Sequence, residues 1–356
     1  MFRTICCTFP FMVCLCWFIT FALRTRRNDS AKRVLTVFLA VCTVLYLCHA
    51  FYFNGGLTAW GEALWALCSL SVFPLYYIYI THLTCRPLRW PQTMLCLLPG
   101  AVIALALLLF PASAAETARQ LLFAVQVLAV IIFGYRHLIA FDHELANTYA
   151  DTEGRDVSAV KALLFAFVAT SMLSAVANII GKQNVAASNW LWTMLVPFGI
   201  LLYALSYIGY TRDFSPEQFI ADTDETDNTL APSTTDTETS DNELGKKIEE
   251  LMEAGYFLTP NLKVTDLARD AGSCRTYVSN YINKTYNQSF SDYVNSMRVV
   301  HAQQLLQEQH DIKMTEVAER SGFTSEQSFY RNFKKFVGKT PAEWLGCTDS
   351  TSTPSA

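Results

Sequence analysis

A stretch near the C-terminus repeats itself. Val264-Thr265-Asp266-Leu267-Ala268-Arg269-Asp270-Ala271-Gly272 recurs as Met314-Thr315-Glu316-Val317-Ala318-Glu319-Arg320-Ser321-Gly322, about fifty residues later. The register then slips by one and the match resumes: Val278 falls on Phe329, Ile282 on Phe333, Asn287 on Gly338, Phe290 on Pro341 and Tyr293 on Trp344. A small residue followed four positions later by glycine, within apolar spacing of helical period, reads as two helices joined by a tight turn. Two copies predict two helix-turn-helix units in one domain.

The rest of the chain is of another kind. Its 356 residues allow two or three domains. Charged residues make up 16%, against roughly 25% in ordinary soluble domains. They are sparse up to Tyr210 and dense from Asp213 onward. A membrane span needs about 20 apolar residues. Seven segments qualify: 4–23, 34–53, 63–83, 93–110, 121–135, 162–180 and 190–210, the fifth being the shortest. Lys and Arg concentrate after the odd-numbered spans (Arg24, Arg26, Arg27, Lys32 and Arg33; Arg86 and Arg89; Arg136, Arg155 and Lys161; Arg212), against Arg3, Arg119 and Lys182 on the other side. This bias predicts an N-terminus outside and a C-terminus in the cytoplasm. The arginine cluster lies just beyond the first apolar run, and no A-x-A site precedes it, so the run reads as a span rather than a cleaved signal.

Nine of eleven cysteines lie in or beside apolar stretches and read as small hydrophobes; Cys274 and Cys347 read as free thiols. Few ionisable residues fall within the spans, which disfavours an ion-coupled pump. His49, Asn54 and Glu62, near Trp60 and Trp65, form either an interfacial rim or part of a ligand pocket. Pro74, Pro99 and Pro197 are expected to kink spans. His143-Glu144 opens like a zinc motif, but Asn147 replaces the second histidine. No P-loop, nucleophile elbow or kinase signature occurs. The expectation is therefore no enzyme, no catalytic residue, no cofactor and no metal.

Residues 213–242 are rich in Asp, Glu, Thr and Ser, and such composition predicts a disordered acidic tether, or alternatively a protease-sensitive release segment. A coil of that length averages roughly 30 Å end to end. From residue 243 to 347 the spacing predicts an opening helix over 244–255, a support helix over 264–271, a first reading helix over 274–283, a long connector over 291–307, a second support helix over 314–321 and a second reading helix over 325–336. The connector's apolar positions are Tyr293, Val294, Met297, Val300, Ala302 and Leu305. In the first reading helix Val278 and Ile282 point inward, leaving Arg275, Thr276, Ser279, Asn280 and Asn283 outward. In the second, Phe329, Phe333 and Phe336 face a core. Arg331 can then pair bidentately with guanine and Gln327 with adenine. Lys334 and Lys335 suit phosphates. The alternative for such units is a protein-interaction module, since the strongly basic surface of many DNA binders is missing.

The run from Gly322-Phe323 through Phe329, Arg331, Phe333 and Lys335 to Gly338 and Pro341 resembles the signature of AraC/XylS transcription regulators. Asp292, Tyr293, Asn295 and Arg298, with Ala302, Leu305 and Leu306, resemble that family's central helix. The resemblance covers roughly residues 244–345. It implies base contacts from Thr276, Ser279, Asn280, Glu326, Gln327, Ser328 and Arg331, with Arg275, Ser325, Lys334 and Lys335 beside phosphates. Glu326 departs from the commoner neutral or basic residue, and Asn287 stands where glycine is frequent. The stretch from Phe73 to Ile80 with Leu98-Pro99 is similar to a multispan sensor.

The expected fold is all-α: a seven-helix transmembrane bundle over residues 1–212, the linker, an AraC-type domain of two helix-turn-helix units joined by a long helix, and a disordered tail over 348–356. The function read from it is a sequence-specific transcription regulator of the bacterial inner membrane, controlled by an unidentified signal. Expected partners are double-stranded promoter DNA, membrane lipid, a second copy of the chain as a homodimer, and RNA polymerase. The rivals are a transporter or sensor with a regulatory tail, and a DNA–membrane tether without regulation.

Overall fold

The computed structural model describes residues 2–25, 29–55, 57–109, 112–152, 157–180, 190–211, 237–309 and 311–345; for 2–7, 52–55, 112–116, 173–180, 190–194 and 237–241 it describes the backbone alone. Most of the linker expected over 213–242, and the tail over 348–356, lie outside the described residues. The described chain is all-α, with one isolated antiparallel bridge between Tyr149 and Lys263. It divides into two compact units, Met1–Phe141 with Val157–Gln218, and Asp142–Asp156 with Phe219–Ala356.

The first unit contains α1 (Phe2–Arg24), α2 (Ser30–Gly55), α3 (Ala59–Leu83), α4 (Trp90–Leu109), most of α5 (Ala112–Thr148), α6 (Ser158–Ile180) and α7 (Trp190–Thr211). Each expected apolar segment lies in one of these helices, apart from Phe110 at the end of the fourth, which lies outside the described residues. Four described stretches, Ser30–Phe51, Ala59–Leu83, Trp90–Leu109 and Thr117–Thr148, are long and apolar enough to cross a membrane. The fifth helix, read from sequence as the shortest span, is 37 residues long. Hydropathy marks only its apolar middle, because Arg136, Asp142 and Glu144 continue the helix beyond it.

Helix α3 packs against α2 and α4 and is buried along most of its length, from Ala63 to Leu83. Helix α1 packs on α2 and α7, where Trp17 lies 5.6 Å from Tyr203 and 5.7 Å from Tyr210, ring centre to ring centre. Several buried serine hydroxyls are satisfied within their own helices. Ser71 donates to the Leu67 carbonyl, Ser171 to Phe167 and Ser206 to Leu202. This back-bonding lets polar side chains sit in an apolar bundle without unpaired donors. Pro74, Pro99 and Pro197 all lie inside helices, and the described cysteines are free thiols.

The second unit contains α8 (Thr237–Glu253), a single 3-10 turn (Tyr256–Leu258), α9 (Val264–Asp270), α10 (Arg275–Tyr286), α11 (Phe290–Glu308), α12 (Met314–Arg320) and α13 (Glu326–Val337). Helix α8 begins at Thr237, before the expected position 244, so the last acidic residues of the segment read as tether are helical. Two apolar clusters form side by side. One gathers Ile248, Leu267, Ala268, Val278, Ile282, Phe290 and Val294; the other gathers Val299, Ala302, Leu306, Val317, Ala318, Phe329 and Phe333. The two halves of α11 serve one cluster each. The structure buries Val299 and exposes Val300, reversing the expectation for that pair. The inward stripe passes through Arg298, which is fully buried, and a stripe read from apolar residues alone loses its phase there.

The turns repeat in hydrogen bonding as well as in sequence. Ala271 N–H donates to the Leu267 carbonyl and Ser273 N–H to Ala268; in the second unit Ser321 N–H donates to Val317 and Phe323 N–H to Ala318. Gly272 and Gly322 carry the left-handed turn, at φ +69° and +82°. A Cβ on Gly322 would stand 2.6 Å from the Leu258 carbonyl oxygen, whereas one on Gly272 would have nothing closer than the Lys247 Nζ at 4.0 Å. Asn287, at φ 52°, ends α10 in the left-handed conformation expected of it. Gly272→Ala should therefore cost about 1 kcal/mol, the left-handed penalty alone. Gly322→Ala should cost about 3 kcal/mol or more, because a backbone clash is added. Urea melts of the two variants measure the difference.

Candidate nucleic-acid interface

Helix α13 has two chemically distinct faces. Phe329 and Phe333 are fully buried, while Gln327, Arg331 and Lys334 on the other side are exposed. No described hydrogen bond or ion pair engages the side chains of these three. The helix starts at Ser325, whose hydroxyl accepts from the Ser328 N–H at 3.0 Å, so this expected phosphate contact is also the N-cap. Glu326 accepts from the Thr315 hydroxyl at 3.2 Å, which directs its carboxylate toward α12. Lys335 forms an ion pair with Asp292 at 2.5 Å, so its charge is already partly balanced.

Ser328 is buried, and its hydroxyl donates to Asp151 Oδ1 at 3.2 Å. At 100° per residue it shares a face of α13 with Arg331 and Lys335. Thr324 donates to the same Asp151 carboxylate. Asn332 lies one turn beyond Ser328 and donates to its carbonyl at 2.9 Å.

Helix α10 buries Val278 and Ile282 and exposes Thr276 and Asn280. Ser279 is half-buried and accepts from the Asn283 amide at 3.4 Å. Arg275 donates to the Thr148 hydroxyl at 3.3 Å and Asn283 to the Asn147 side-chain Oδ1 at 3.5 Å. Residues 147–151, read from sequence only as part of a loop between spans, thus lie against both reading helices. No periodicity marks them; the single hint was Asn147, noted as a replaced ligand, which bonds to His143 Nδ1 at 3.2 Å.

Arg298 in α11 holds the middle of the unit. Its guanidinium donates to the Phe257 carbonyl at 2.7 Å and the Thr259 carbonyl at 2.8 Å, and lies 5.7 Å from the Phe323 ring centre. Burial lowers its pKa to about 10, and the Asp151 carboxylate opposes that shift. Asp270 is held below the usual carboxylate range by the Tyr256 hydroxyl, which donates to it at 2.5 Å.

Two turn-linked helix pairs, each with its own core and joined by one long helix, settle the type of the second unit. It is a helix-turn-helix domain. Residues 267–346 match the model of a helix-turn-helix domain family. The chain is 29% identical over 84 residues to the Msm operon regulatory protein of Streptococcus mutans serotype c (24% of this chain, 30% of that protein). It is 37% identical over 68 residues to the uncharacterized HTH-type transcriptional regulator YijO of Escherichia coli K12 (19% and 24%). It is 30% identical over 87 residues to the uncharacterized transcriptional regulatory protein YesN of Bacillus subtilis 168 (24% and 24%). The chain thus spans about a quarter to a third of the length of the curated relatives it matches. No solved structure matches it.

In the first unit, a cavity of about 290 Å³ opens among α2, α3, α5, α6 and α7. His49, one of the expected pocket residues, lines it; Glu62 does not, and the Asn54 side chain lies outside the described residues. Arg119 also lines it and is buried. Sequence reasoning missed this residue, counting it as an outer-loop charge.

Replacing Arg298 with Ala should destabilise the helix-turn-helix domain by about 3 kcal/mol, because two charge-assisted hydrogen bonds and the packing of a buried side chain are lost. Thermal melts read this as a loss of roughly 15 °C for a domain of this size.

Proposed function

We propose that the chain is a membrane-anchored transcription regulator. Helices α1 to α7 would span the bacterial cytoplasmic membrane seven times with the N-terminus outside. The AraC-type domain would bind promoter DNA on the cytoplasmic side, under control of a signal received at the membrane. The observation that carries the reading is the exposed face of α13, where Gln327, Arg331 and Lys334 stand opposite buried phenylalanines without described partners. Matching turns at Gly272 and Gly322 support a second reader in α10. At 1.5 Å per residue α11 is roughly 28 Å long. With the units at its ends, that suits two readers about one DNA turn, roughly 34 Å, apart.

Within this reading, Arg331 reads a base edge, Gln327 a neighbouring one, and Thr276, Ser279 and Asn280 serve the first half-site. Lys334 and Arg275 meet phosphates. A second copy of the chain and RNA polymerase complete the partners. Bringing two tethered domains together would raise their effective concentration on a paired site. Unchanged monomer mass at every level of promoter output would contradict that relay.

Arg331→Ala should cost about 1–3 kcal/mol of target affinity and relax preference at one base pair. Lys334→Ala should weaken all sequences alike and reduce the salt slope by about 1, while Lys335→Ala does less because Asp292 already balances that charge. Titrations over a range of salt separate the three outcomes. A reporter enzyme fused after Leu345 should be active only in its cytoplasmic form; activity outside the cell would overturn the orientation.

A further inference from the structure

We propose that the cavity in the first unit is a receptor site for a small amphipathic organic anion, an apolar body carrying one carboxylate. The proposal rests on the sensor role above only for its consequence, since binding is measured separately. An engineered apolar cavity of about 150 Å³ admits benzene, so about 290 Å³ accommodates a ring with a short chain. Phe73, Phe167 and Phe198 supply apolar wall, and Arg119 and Tyr76 are among the polar groups that interrupt it. Arg119 is 5% exposed, and its guanidinium carbon lies 4.5 Å from the Trp65 ring centre. Among the described lining residues it is the one formal charge. A guanidinium carries five N–H donors in one plane, a fork that matches a carboxylate. Tyr76 is 2% exposed and its buried hydroxyl has no described hydrogen-bond partner, a deficit that an acceptor on an occupant removes.

The test is calorimetry on the full chain in lipid nanodiscs, with 3-phenylpropionate, 3-phenylpropanol and 3-phenylpropylammonium as probes. Saturable binding of the acid is expected, at least about tenfold tighter than the alcohol. Arg119→Gln should erase that preference, and Arg119→Lys should retain part of it, which guards against a folding artefact. Equal binding of all three probes, no binding, or an unaltered preference in Arg119→Gln would overturn the proposal. If the acid comes from lipid, native mass spectrometry of the purified chain should show a bound fatty acid; a free acid leaves it empty until titrated.

A separate set of contacts carries a second inference, which rests on the DNA-binding reading. We infer that Asn147–Asp151 is an inhibitory strap laid across the DNA-reading side of the helix-turn-helix domain. Backbone bonds fix it: Ala150 N–H donates to the Leu262 carbonyl at 2.9 Å, and the Ala150 carbonyl accepts from Ser291 and Asn295, each at 2.7 Å. From there Thr148 and Asn147 engage Arg275 and Asn283 on the first reader, and Asp151 engages Thr324 and Ser328 at the start of the second. Asp151 thus sets a negative charge on the face of α13 that includes Arg331, where a DNA duplex would bring its own. Strap and DNA exclude each other, by contact at Ser328 and by like charge.

Full-length protein and its Asp151→Ala variant, both in nanodiscs, should be titrated with a duplex pool of random sequence at moderate salt. The variant is expected to bind about tenfold more tightly, the factor that a pair of hydrogen bonds to a charged acceptor commands. Asp151→Glu should stay restrained. Equal affinity of wild type and Asp151→Ala would overturn the strap alone. Binding by neither would overturn the DNA-binding reading and the strap with it.

Discussion

A single buried cation holds the helix-turn-helix domain in register. Arg298 sits in the middle of α11, where one apolar cluster ends and the other begins. Its donors tie that helix to the carbonyls of Phe257 and Thr259, and its guanidinium carbon lies over the Phe323 ring in the second turn. Burying a guanidinium is costly unless charge-assisted hydrogen bonds offset it. That cost makes the arrangement specific: a shift of α11 along its axis would leave a buried charge without acceptors. The distance between α10 and α13, on which any two-groove reading depends, is therefore set by side-chain chemistry as well as by helix length.

The repeat made the second unit legible before any coordinates. Gly272 and Gly322 announced left-handed turns, Asn287 an asparagine substitute, and the phenylalanines of α13 a core face; each has its expected place. The connector was harder. Arg298 breaks the apolar stripe, so Val300 seemed inward and Val299 did not. Long-range partners were not legible at all. Lys335 reads as a free cation until Asp292 appears beside it, and Ser328 reads as an exposed hydroxyl until Asp151 covers it. Local periodicity carries no record of which distant residue will approach.

The first unit followed the same division. Hydropathy located all seven apolar helices. It could not show that α5 extends well past its apolar middle, nor that Arg119 turns inward toward a cavity rather than outward as a loop charge. Positional charge rules treat Lys and Arg as interfacial markers. A guanidinium over the Trp65 ring escapes that rule, because the aromatic face offsets part of the cost of its burial.

The central claim is that two similar readers on one rigid helix grip successive grooves of a duplex. Hydroxyl-radical footprinting of residues 237–345 on a selected duplex tests it most directly. The account predicts two protected patches on one face of the DNA, about 10 base pairs apart, the spacing of one helical turn. One patch alone, or uniform protection that vanishes with modest salt, would contradict it.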